Sequence, residues 1–455
     1  MEIKILDPIH CEIQPALARI IKPELSFTAV YYRDGFHHKE RKEYQKSIML
    51  ETSNGNFLFP TGLLPRVVKY CKERNVPISV LNKPEKIPFA EPNLKKIILR
   101  EEQVRLVKTA CETQRGTLVA PTGSGKSPIG IAIISAFLSV NKAFKALWLC
   151  HTKDLMYQSA GVCKEELNIV PGIIGDSNID LEQKITMATR QSFIKYVKEY
   201  GHLYDLVLVD EGHHITDFDG QYFQILNQMM APLRFAVTAT FPKDKQAALA
   251  LEGMIGPIID EITYQEGKEK GRIADVKIKV LKIPFRQDIK NLRKYSDVYD
   301  FGVVNNEEQH AIIIRKAKEH VEKGDSVLII VSRIEHGRYL LSEAYQQDLL
   351  ADFAEGETKT KERLQIKHDL NSKKLKCVIA TGIWKEGINI PELNVIINAA
   401  GGKSEIATIQ TVGRGLRKTS TKDEIIIYDC FNPSHHYLIE HFGERISTYS
   451  DMGWL

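Results

Sequence analysis

The chain has 455 residues, of which 43% are hydrophobic and 26% are charged. This is enough apolar material for two or three globular domains with their own cores, and it excludes a mostly disordered protein. The formal net charge is +4, and that excess lies in residues 1–90, which hold 14 basic and 10 acidic side chains. An excess of this size permits nucleic-acid binding without requiring it.

The N-terminal segment, residues 1–95, predicts a small α+β domain. Asn54-Gly55 separates residues 47–52 from residues 56–59, and this dipeptide favours the tight turn of a β-hairpin. Residues 63–74 have the apolar spacing of a helix. Pro84, Pro88 and Pro92 then interrupt a polar stretch, which we interpret as the connection to the next domain.

From residue 96 onward, short aliphatic runs alternate with helical patterns, as in βαβ units with a parallel sheet. Ten candidate strands form two series, at residues 117–120, 146–150, 185–188, 206–209 and 235–238, and at residues 278–281, 327–331, 378–380, 395–398 and 425–428. They predict an α/β protein with two tandem parallel-sheet lobes, residues 96–264 and 265–455, although no sequence repeat relates them. The polar residues 265–272 predict a solvated linker.

The cysteines and the apolar runs predict the compartment. The seven cysteines stand singly, without a CxxC pair, so we expect reduced thiols and no zinc site. The longest apolar run, residues 129–140, is well short of the roughly 20 residues that span a bilayer, and it predicts a core helix. The first residues lack the basic start and apolar run of a secretory signal. We therefore expect a cytoplasmic protein with no membrane association.

The first chemical motif follows the first strand of the first series. Residues 120–127, Ala-Pro-Thr-Gly-Ser-Gly-Lys-Ser, lie between an apolar strand and an apolar helix, where such a loop holds phosphates with its backbone N–H groups. Lys126 suits the β and γ phosphates of ATP, Ser127 suits Mg²⁺, and the helix N-terminus favours negative charge. The predicted nucleotide-binding residues are Pro121, Thr122, Gly123, Ser124, Gly125, Lys126 and Ser127.

Two carboxylates follow the apolar run 206–209, at the edge where parallel sheets present their chemistry. Asp210 is predicted to hold Mg²⁺ through water, and Glu211 to orient or deprotonate the attacking water. His213 follows closely, and it suits a link from this pair to neighbouring elements better than it suits zinc binding. An acidic turn without chemistry is the alternative.

The third motif, residues 410–417, lies in the second lobe. Gln410, Arg414 and Arg417 have spacings of four and three, which place them on one face of a helix. Arginine stabilises phosphate charge in a transition state through its planar cationic fork. The alternative is a basic surface helix, but together the three motifs predict a divided ATPase site with catalytic residues Lys126, Asp210, Glu211, Gln410, Arg414 and Arg417.

In their order these motifs resemble superfamily 2 helicases over roughly residues 96–420, which implies RecA-like lobes. The resemblance includes Leu99-Arg100, Gln158 and residues 150–155, 188–192, 238–240, 331–333 and 380–391. It implies nucleotide contacts from Gln103, Gly387 and Asn389, and coupling through His213, Thr238 and Thr240. It also implies nucleic-acid backbone contacts from Thr152, Thr189, Arg190, Ser332, Arg333 and Thr381.

Within that superfamily, residues 210–213 and 386–389 depart from the pattern of DEAD-box RNA unwinding enzymes and resemble UvsW-type and XPB-like DNA helicases. Those proteins carry a small substrate-recognition domain before the first lobe. The likeness implies DNA contacts from Arg33, Lys39 and Arg41, among aromatic residues as on many nucleic-acid surfaces. The alternative for this segment is a solvated hairpin face.

The implied function is an ATP-dependent DNA helicase or translocase with ATP and Mg²⁺, acting on duplex, forked or four-way junction DNA in branch migration, recombination or repair. The alternatives are an RNA unwindase, and a motor or ATP-switched DNA-binding subunit that does not separate strands. RNA is the less favoured substrate. Recombination or replication proteins are further candidate partners, and the compartment is the host cytoplasm if the chain is phage-encoded.

Overall fold

The structure is a computed structural model that describes residues 1–34, 39–121, 124–141, 143–175, 178–271, 274–355, 358, 360–381, 392–402 and 424–455. It has two compact units. The first comprises Met1–Ala120 and Gly125–Ile262, and the second comprises Thr263–Leu455 and takes in Pro121 and Ser124. Within the described residues, no helix is both long and apolar enough to cross a bilayer.

The chain begins with a small mixed α+β region. Its elements are β1 (Glu2–Ile5), β2 (His10–Ile13), α1 (Pro15–Ile21), β3 (Ser26–Asp34), β4 (Lys39–Ser47), β5 (Leu50–Glu51), β6 (Phe57–Pro60), α2 (Leu64–Glu73) and β7 (Ser79–Leu81). The sheet has the order β5-β6-β2-β1-β7, with β1 and β7 parallel and the other pairs antiparallel. The predicted hairpin at Asn54-Gly55 is confirmed as β5 and β6, and the predicted helix is α2.

Strands β3 and β4 form a separate two-stranded ribbon. Nine cross-strand pairs run from Ser26 opposite Ser47 to Asp34 opposite Lys39. At about 3.4 Å per residue, the ribbon is roughly 30 Å long. Phe27 is buried at the base of the ribbon, whereas Tyr44 and Lys46 are exposed.

The first lobe follows as an eight-stranded sheet with helices. Its elements are α3 (Glu101–Thr113), β8 (Arg115–Val119), α4 (Lys126–Leu138), β9 (Ala146–Cys150), α5 (Lys153–Leu167), β10 (Gly172–Gly175), β11 (Asn178–Ile179), β12 (Ile185–Thr189), α6 (Arg190–Phe193), α7 (Val197–Tyr200), β13 (Leu206–Asp210), α8 (Gln221–Leu226), β14 (Leu233–Thr238), α9 (Lys245–Met254) and β15 (Ile258–Glu261), with 3₁₀ turns at Gly201–Leu203 and Gly212–His214. A further 3₁₀ turn, Thr61–Leu63, joins β6 to α2 in the N-terminal region.

The strand order of this sheet is β11-β10-β12-β9-β13-β14-β8-β15. All neighbouring pairs are parallel except β10 with β11. The five strands of the first predicted series are confirmed as β8, β9, β12, β13 and β14, which are contiguous in the sheet. The predicted core helix is α4, which is buried from Ile129 to Phe137.

The N-terminal region packs on the first lobe through α9. Leu249 of this helix belongs to the same buried cluster as Phe59 and Val67. Arg66 donates to both carboxylate oxygens of Glu252, at 2.6 and 2.8 Å, and the side chain of Glu252 is almost fully buried. A shared core and a bidentate pair therefore hold the two parts together as one unit.

Gly62 lies at the closest approach of these two parts, and we expect Gly62→Ala to loosen them. A Cβ atom at residue 62 would be 1.9 Å from the carbonyl oxygen of Glu252 and 2.6 Å from that of Gly253, so the backbone must shift. Overpacking of this kind costs about 1–3 kcal/mol. Limited proteolysis should release an N-terminal fragment faster than from the matched control Gly161→Ala, whose new Cβ meets no atom within 4 Å. Equal cleavage of the two variants would contradict this.

The second lobe is a six-stranded sheet with helices. Its elements are α10 (Tyr264–Glu269), β16 (Asp275–Lys282), α11 (Tyr295–Tyr299), a π-helical turn (Asp300–Val304), α12 (Glu307–Glu322), β17 (Val327–Ile330), α13 (Ile334–Gln346), β18 (Ala351–Ala354), α14 (Thr360–Asn371), β19 (Cys377–Ala380), β20 (Val395–Asn398), β21 (Glu424–Phe431) and α15 (His436–Asp451). The strand order is β16-β21-β20-β17-β19-β18, with parallel neighbours throughout. The second predicted series is confirmed as β16, β17, β19, β20 and β21.

The segment predicted as the solvated linker, residues 265–272, begins with helix α10, and the boundary between the two compact units falls just before that helix, between Ile262 and Thr263. Thr263 caps this helix, since its side chain accepts a hydrogen bond from the backbone of Glu266 at 3.1 Å. Tyr264 is buried and packs edge-on against Trp454, with ring centroids 6.1 Å apart. A side-chain cap and one buried aromatic anchor therefore make a helix from a charged sequence.

Candidate nucleotide-hydrolysis site

The phosphate loop connects β8 to α4. Gly125 caps α4 with a left-handed backbone, φ 88°. A Cβ atom on Gly125 would lie 2.3 Å from the side-chain nitrogen of Gln103, so this position needs glycine for its conformation and for its space. Gln103, predicted to contact the nucleotide, thus lies beside the loop and also accepts a hydrogen bond from the backbone N–H of Arg100 at 2.9 Å.

The structure describes some of the other predicted nucleotide-binding residues and leaves others outside the described part of the chain. Ser124 is buried, and its hydroxyl donates to the carbonyl oxygen of Pro121 at 2.6 Å. Ser127 is half-buried in the first turn of α4. Thr122 and Gly123 lie outside the described residues, as do Gly387, Asn389, Gln410, Arg414 and Arg417.

Both predicted carboxylates lie at the carboxyl end of β13, as the apolar run predicts. Asp210 is the last residue of this fully buried strand. Glu211 follows in the left-handed region with φ 55° and ψ 56°, a conformation that costs a non-glycine residue about 1 kcal/mol or more and often marks a functional position. The Nζ atom of Lys126 lies 2.5 Å from Oε1 of Glu211. The structure thus brings the loop lysine and the second carboxylate into direct contact.

The electrostatics of the two carboxylates differ. Burial raises the pKa of Asp210 to about 7, and the charge of Glu211 adds to this rise. Burial would also raise the pKa of Glu211, but the ammonium of Lys126 and the neighbouring His213 together outweigh burial and hold this pKa below the ordinary carboxyl range. Glu211 is therefore the ionised member of the pair near neutral pH, and it suits the role of an acceptor for a water proton.

The oxygen atoms of the site suit the groups that the sequence predicts. Asp210 and Ser127 offer only oxygen donors, which is the preference of a hard cation such as Mg²⁺. The buried Oε2 atom of Glu211 accepts no hydrogen bond from the described part of the chain. A buried carboxylate oxygen without a donor is costly, so a bound water that donates to Oε2 would relieve that cost.

The predicted coupling residues form a continuous hydrogen-bonded path. The Nδ1 atom of His213 lies 2.9 Å from the hydroxyl of Thr238, and that hydroxyl donates to the carbonyl oxygen of Thr240 at 2.9 Å. Because the single proton of Thr238 is used in this way, His213 must donate from Nδ1. The same nitrogen lies 3.4 Å from Oε2 of Glu211. The structure therefore connects Glu211 to the end of β14.

Three residues predicted to contact nucleic acid lie at the carboxyl ends of the adjacent strands β9 and β12. Thr152 caps α5 by accepting a hydrogen bond from the backbone of Leu155 at 3.3 Å. Thr189 is buried, and its hydroxyl donates to Ser192 at 3.0 Å. Arg190 is half-buried and bonds to the ring of His151. Their side chains are thus engaged within the lobe, and Thr189 has little exposed surface to offer.

The remaining predicted nucleic-acid residues lie in the second lobe and on the β3–β4 ribbon. In the second lobe, Arg333 bonds to Asp300 and lies over the ring of Tyr299 at 5.1 Å, Ser332 is exposed, and Thr381 is buried after β19. Arg33, Lys39 and Arg41 lie on the β3–β4 ribbon, away from the carboxylate pair in the chain.

Sequence reasoning missed three side chains near the site. His151, His214 and Tyr222 all lie close to Arg190 or to one another. The adjacent histidines at 213 and 214 were the available signal, but only the fold shows that the second of them faces the strand that precedes His151.

Two parts of the chain match models of known protein families. Residues 96–243 match the family described as "Type III restriction enzyme, res subunit", and residues 308–419 match "Helicase conserved C-terminal domain". The first matched range contains the phosphate loop and the carboxylate pair. The second contains the predicted arginine motif.

Several relatives are similar over most of the chain, and these include two that are named for work on DNA. The DNA 3'-5' translocase XPB2 of Sulfurisphaera tokodaii is 26% identical over 398 residues, which is 79% of this chain and 87% of that protein. The ATP-dependent DNA helicase uvsW of Enterobacteria phage T4 is 22% identical over 438 residues, 87% of this chain and 86% of that protein. Among solved structures, the ATP-dependent Type ISP restriction-modification enzyme LlaBIII bound to DNA has the same fold, with a TM-score of 0.61 at 15% identity over 79% of this chain and 30% of that chain.

Proposed function

We propose that this chain, a superfamily 2 helicase of the UvsW and XPB type, is an ATP-driven DNA motor that remodels branched DNA. The observation that carries the proposal is the contact between Lys126 and Glu211 at 2.5 Å, beside Asp210 at the end of a parallel strand. The relatives named as a DNA translocase and a DNA helicase support DNA as the track. The seven free, buried cysteines suit a reducing cytoplasm.

The first-lobe residues act in sequence on ATP. A terminal phosphate offers Lys126 charged acceptors, and we expect the ammonium to leave Glu211 for it. Glu211 then accepts a proton from the attacking water or orients that water. Ser127, and Asp210 through a bound water, would hold Mg²⁺, and the metal would neutralise phosphate charge.

The second lobe supplies cations in this proposal. Arg414 and Arg417 stabilise the charge that develops on the terminal phosphate, and Gln410 helps to orient the reacting groups. Hydrolysis removes the phosphate that these side chains bind, and the lobes then relax. Nucleic-acid contacts in both lobes alternate in strength over this cycle, and repetition moves the protein along a strand.

If Arg417 acts in the transition state, its loss should lower the ATPase rate far more than the affinity for ATP. We expect Arg417→Ala to lower the maximal ATPase rate about a thousandfold, as the loss of an arginine finger does, while the affinity for an ATP analogue falls by less than about fivefold. A fluorescent nucleotide titration beside a turnover assay measures both quantities. Arg417 is not a finger if the two quantities fall by the same factor.

We propose that the β3–β4 ribbon contributes to the choice of DNA substrate. Replacing residues 31–42 by a short turn removes four cationic residues and the distal strand pairs. We expect the affinity for four-way junction DNA to fall about tenfold or more. Each lost phosphate contact lowers the affinity and also makes the affinity less dependent on salt concentration. ATP turnover without DNA should stay within twofold of the unaltered chain. Unchanged junction binding, measured by fluorescence anisotropy at two salt concentrations, would remove the ribbon from the DNA surface.

A gel assay on a synthetic four-way junction tests the proposed function. With ATP and Mg²⁺ the protein should convert the junction into duplex products, and a non-hydrolysable ATP analogue should leave it intact. Stronger ATPase stimulation by structured RNA than by the junction would favour the RNA unwindase. Junction-stimulated ATPase without product would favour a motor subunit that does not separate strands.

A further inference from the structure

The turn after the carboxylate pair touches the strand end at which His151 and Thr152 lie. Residues Gly212–His214 form a 3₁₀ turn directly after Glu211. The ring of His214 stacks on the ring of His151, with centroids 3.6 Å apart and planes inclined by 13°. His151 directly follows β9 and precedes Thr152, which is one of the proposed nucleic-acid contacts. The stack of these two side chains therefore connects the segment after β9 to the turn after β13, and β9 and β13 are neighbours in the sheet.

Arg190 contacts the same stack from the end of β12. Its guanidinium donates to Nδ1 of His151 and to the side-chain oxygen of Gln221, the latter at 3.3 Å. It also lies 5.3 Å from the ring centroid of Tyr222. A guanidinium can only donate, so Nδ1 of His151 accepts and carries no proton. Arg190 is thus bound to a neutral imidazole, which is a weaker partner than a phosphate.

The stack continues to the hydrolytic carboxylate. The rings of His214 and His213 have centroids 4.3 Å apart, and Nδ1 of His213 lies 3.4 Å from Oε2 of Glu211. A chain of direct contacts therefore connects Arg190, His151, His214, His213 and Glu211. All five residues belong to the first compact unit.

We infer that His151 and His214 are positioning residues that transmit the engagement of Arg190 by a DNA phosphate to Glu211. A phosphate competes with His151 for the donors of Arg190 because its bond to guanidinium is between opposite charges. Once His151 loses that bond, its ring and the ring of His214 shift together, and the turn that carries His213 shifts with them. DNA binding and water activation are then two coupled events in one lobe.

This inference rests on the proposed function, because it requires DNA to reach Arg190. The test uses the full chain in four versions: unaltered, His214→Ala, His214→Phe and the matched control His202→Ala, whose histidine is exposed elsewhere in the lobe. ATP turnover is measured without DNA and over a titration of duplex DNA, and thermal unfolding checks that each version is folded.

We expect all four versions to have the same ATP turnover without DNA, within twofold. His214→Ala should lose about five- to tenfold of the DNA-stimulated maximal rate, which is a coupling of ordinary size, with little change in the DNA concentration for half stimulation. His214→Phe keeps an aromatic ring in the stack and should retain most of the stimulation. A purely structural role for His214 would lower the rates with and without DNA together.

His151→Ala gives a second and opposite signature. It removes the competitor for Arg190, so half stimulation should occur at a lower DNA concentration while the maximal stimulated rate falls. If DNA does not stimulate the unaltered chain at all, the proposed function fails. If DNA stimulates the unaltered chain and His214→Ala or His151→Ala responds identically, the inference fails and the proposed function stands.

Discussion

Lys126→Ala and Glu211→Gln are each expected to lower DNA-stimulated ATP turnover by at least about a hundredfold, the lower range for loss of a positioned acid–base group. Lys126→Ala removes the cation that contacts the terminal phosphate. Glu211→Gln removes the negative charge that accepts or directs a proton of the attacking water. Because neither residue belongs to the proposed DNA surface, affinity for DNA should stay within about twofold in both variants.

The two variants also differ from each other in a measurable way. The Lys126 ammonium donates to Glu211, so Glu211→Gln weakens the competitor of phosphate for this ammonium and should bind an ATP analogue more tightly. Lys126→Ala should bind the analogue more weakly. Lys198→Ala and Glu182→Gln are the matched controls, since both side chains are exposed in the same lobe. Turnover near that of the controls in either site variant would remove it from the active site.

Arg445→Ala is expected to lower the unfolding temperature of the second lobe far more than the substitution of an exposed residue does. Arg445 in α15 donates to both oxygens of Asp429 in β21, with a shortest distance of 2.7 Å, and also to the carbonyl oxygens of Gly401 and Gly402 at 3.2 and 3.0 Å. Both side chains are almost fully buried. Removing one partner of such a pair leaves a buried charge and costs about 3–5 kcal/mol.

The rest of this network does not replace the lost cation. Tyr449 and Asn398 also donate to Asp429, at 2.6 and 3.2 Å respectively, but both of these donors are neutral. The matched control is Lys277→Ala, which breaks an exposed pair with Glu424 in the same lobe. Calorimetric scans should show the second-lobe transition strongly lowered for Arg445→Ala and unmoved for the control. Equal small shifts would mean that Asp429 finds another charge partner.

The sequence predicts those strands best that are buried on both faces. Strands β9, β12 and β13 have every residue buried, and they therefore appear as continuous apolar runs. The edge strands β15 and β18 were not predicted, because Ile258–Glu261 and Ala351–Ala354 are short and partly polar. The nine-pair register of the β3–β4 ribbon was also beyond prediction, since neither of its faces has a clear apolar alternation.

The sequence predicts the residues of the candidate hydrolytic site but not their contacts. The loop and the carboxylate pair each follow an apolar strand, so their common position at one sheet edge can be expected. That Lys126 bonds to Glu211, and that Glu211 has a left-handed backbone, depends on the exact path of the turn after β13. The stack of His151 on His214 is further from prediction, because it requires knowing that β9 and β13 are neighbours and which way each ring turns.

The most direct test of the central claim is displacement of a third strand from triplex DNA, which reports movement along a duplex whether or not its strands separate. With ATP and Mg²⁺, the unaltered chain should displace the third strand at a rate that scales with ATP turnover. Lys126→Ala should bind the same triplex and displace nothing. Full ATP turnover on that DNA with no displacement would contradict an ATP-driven motor.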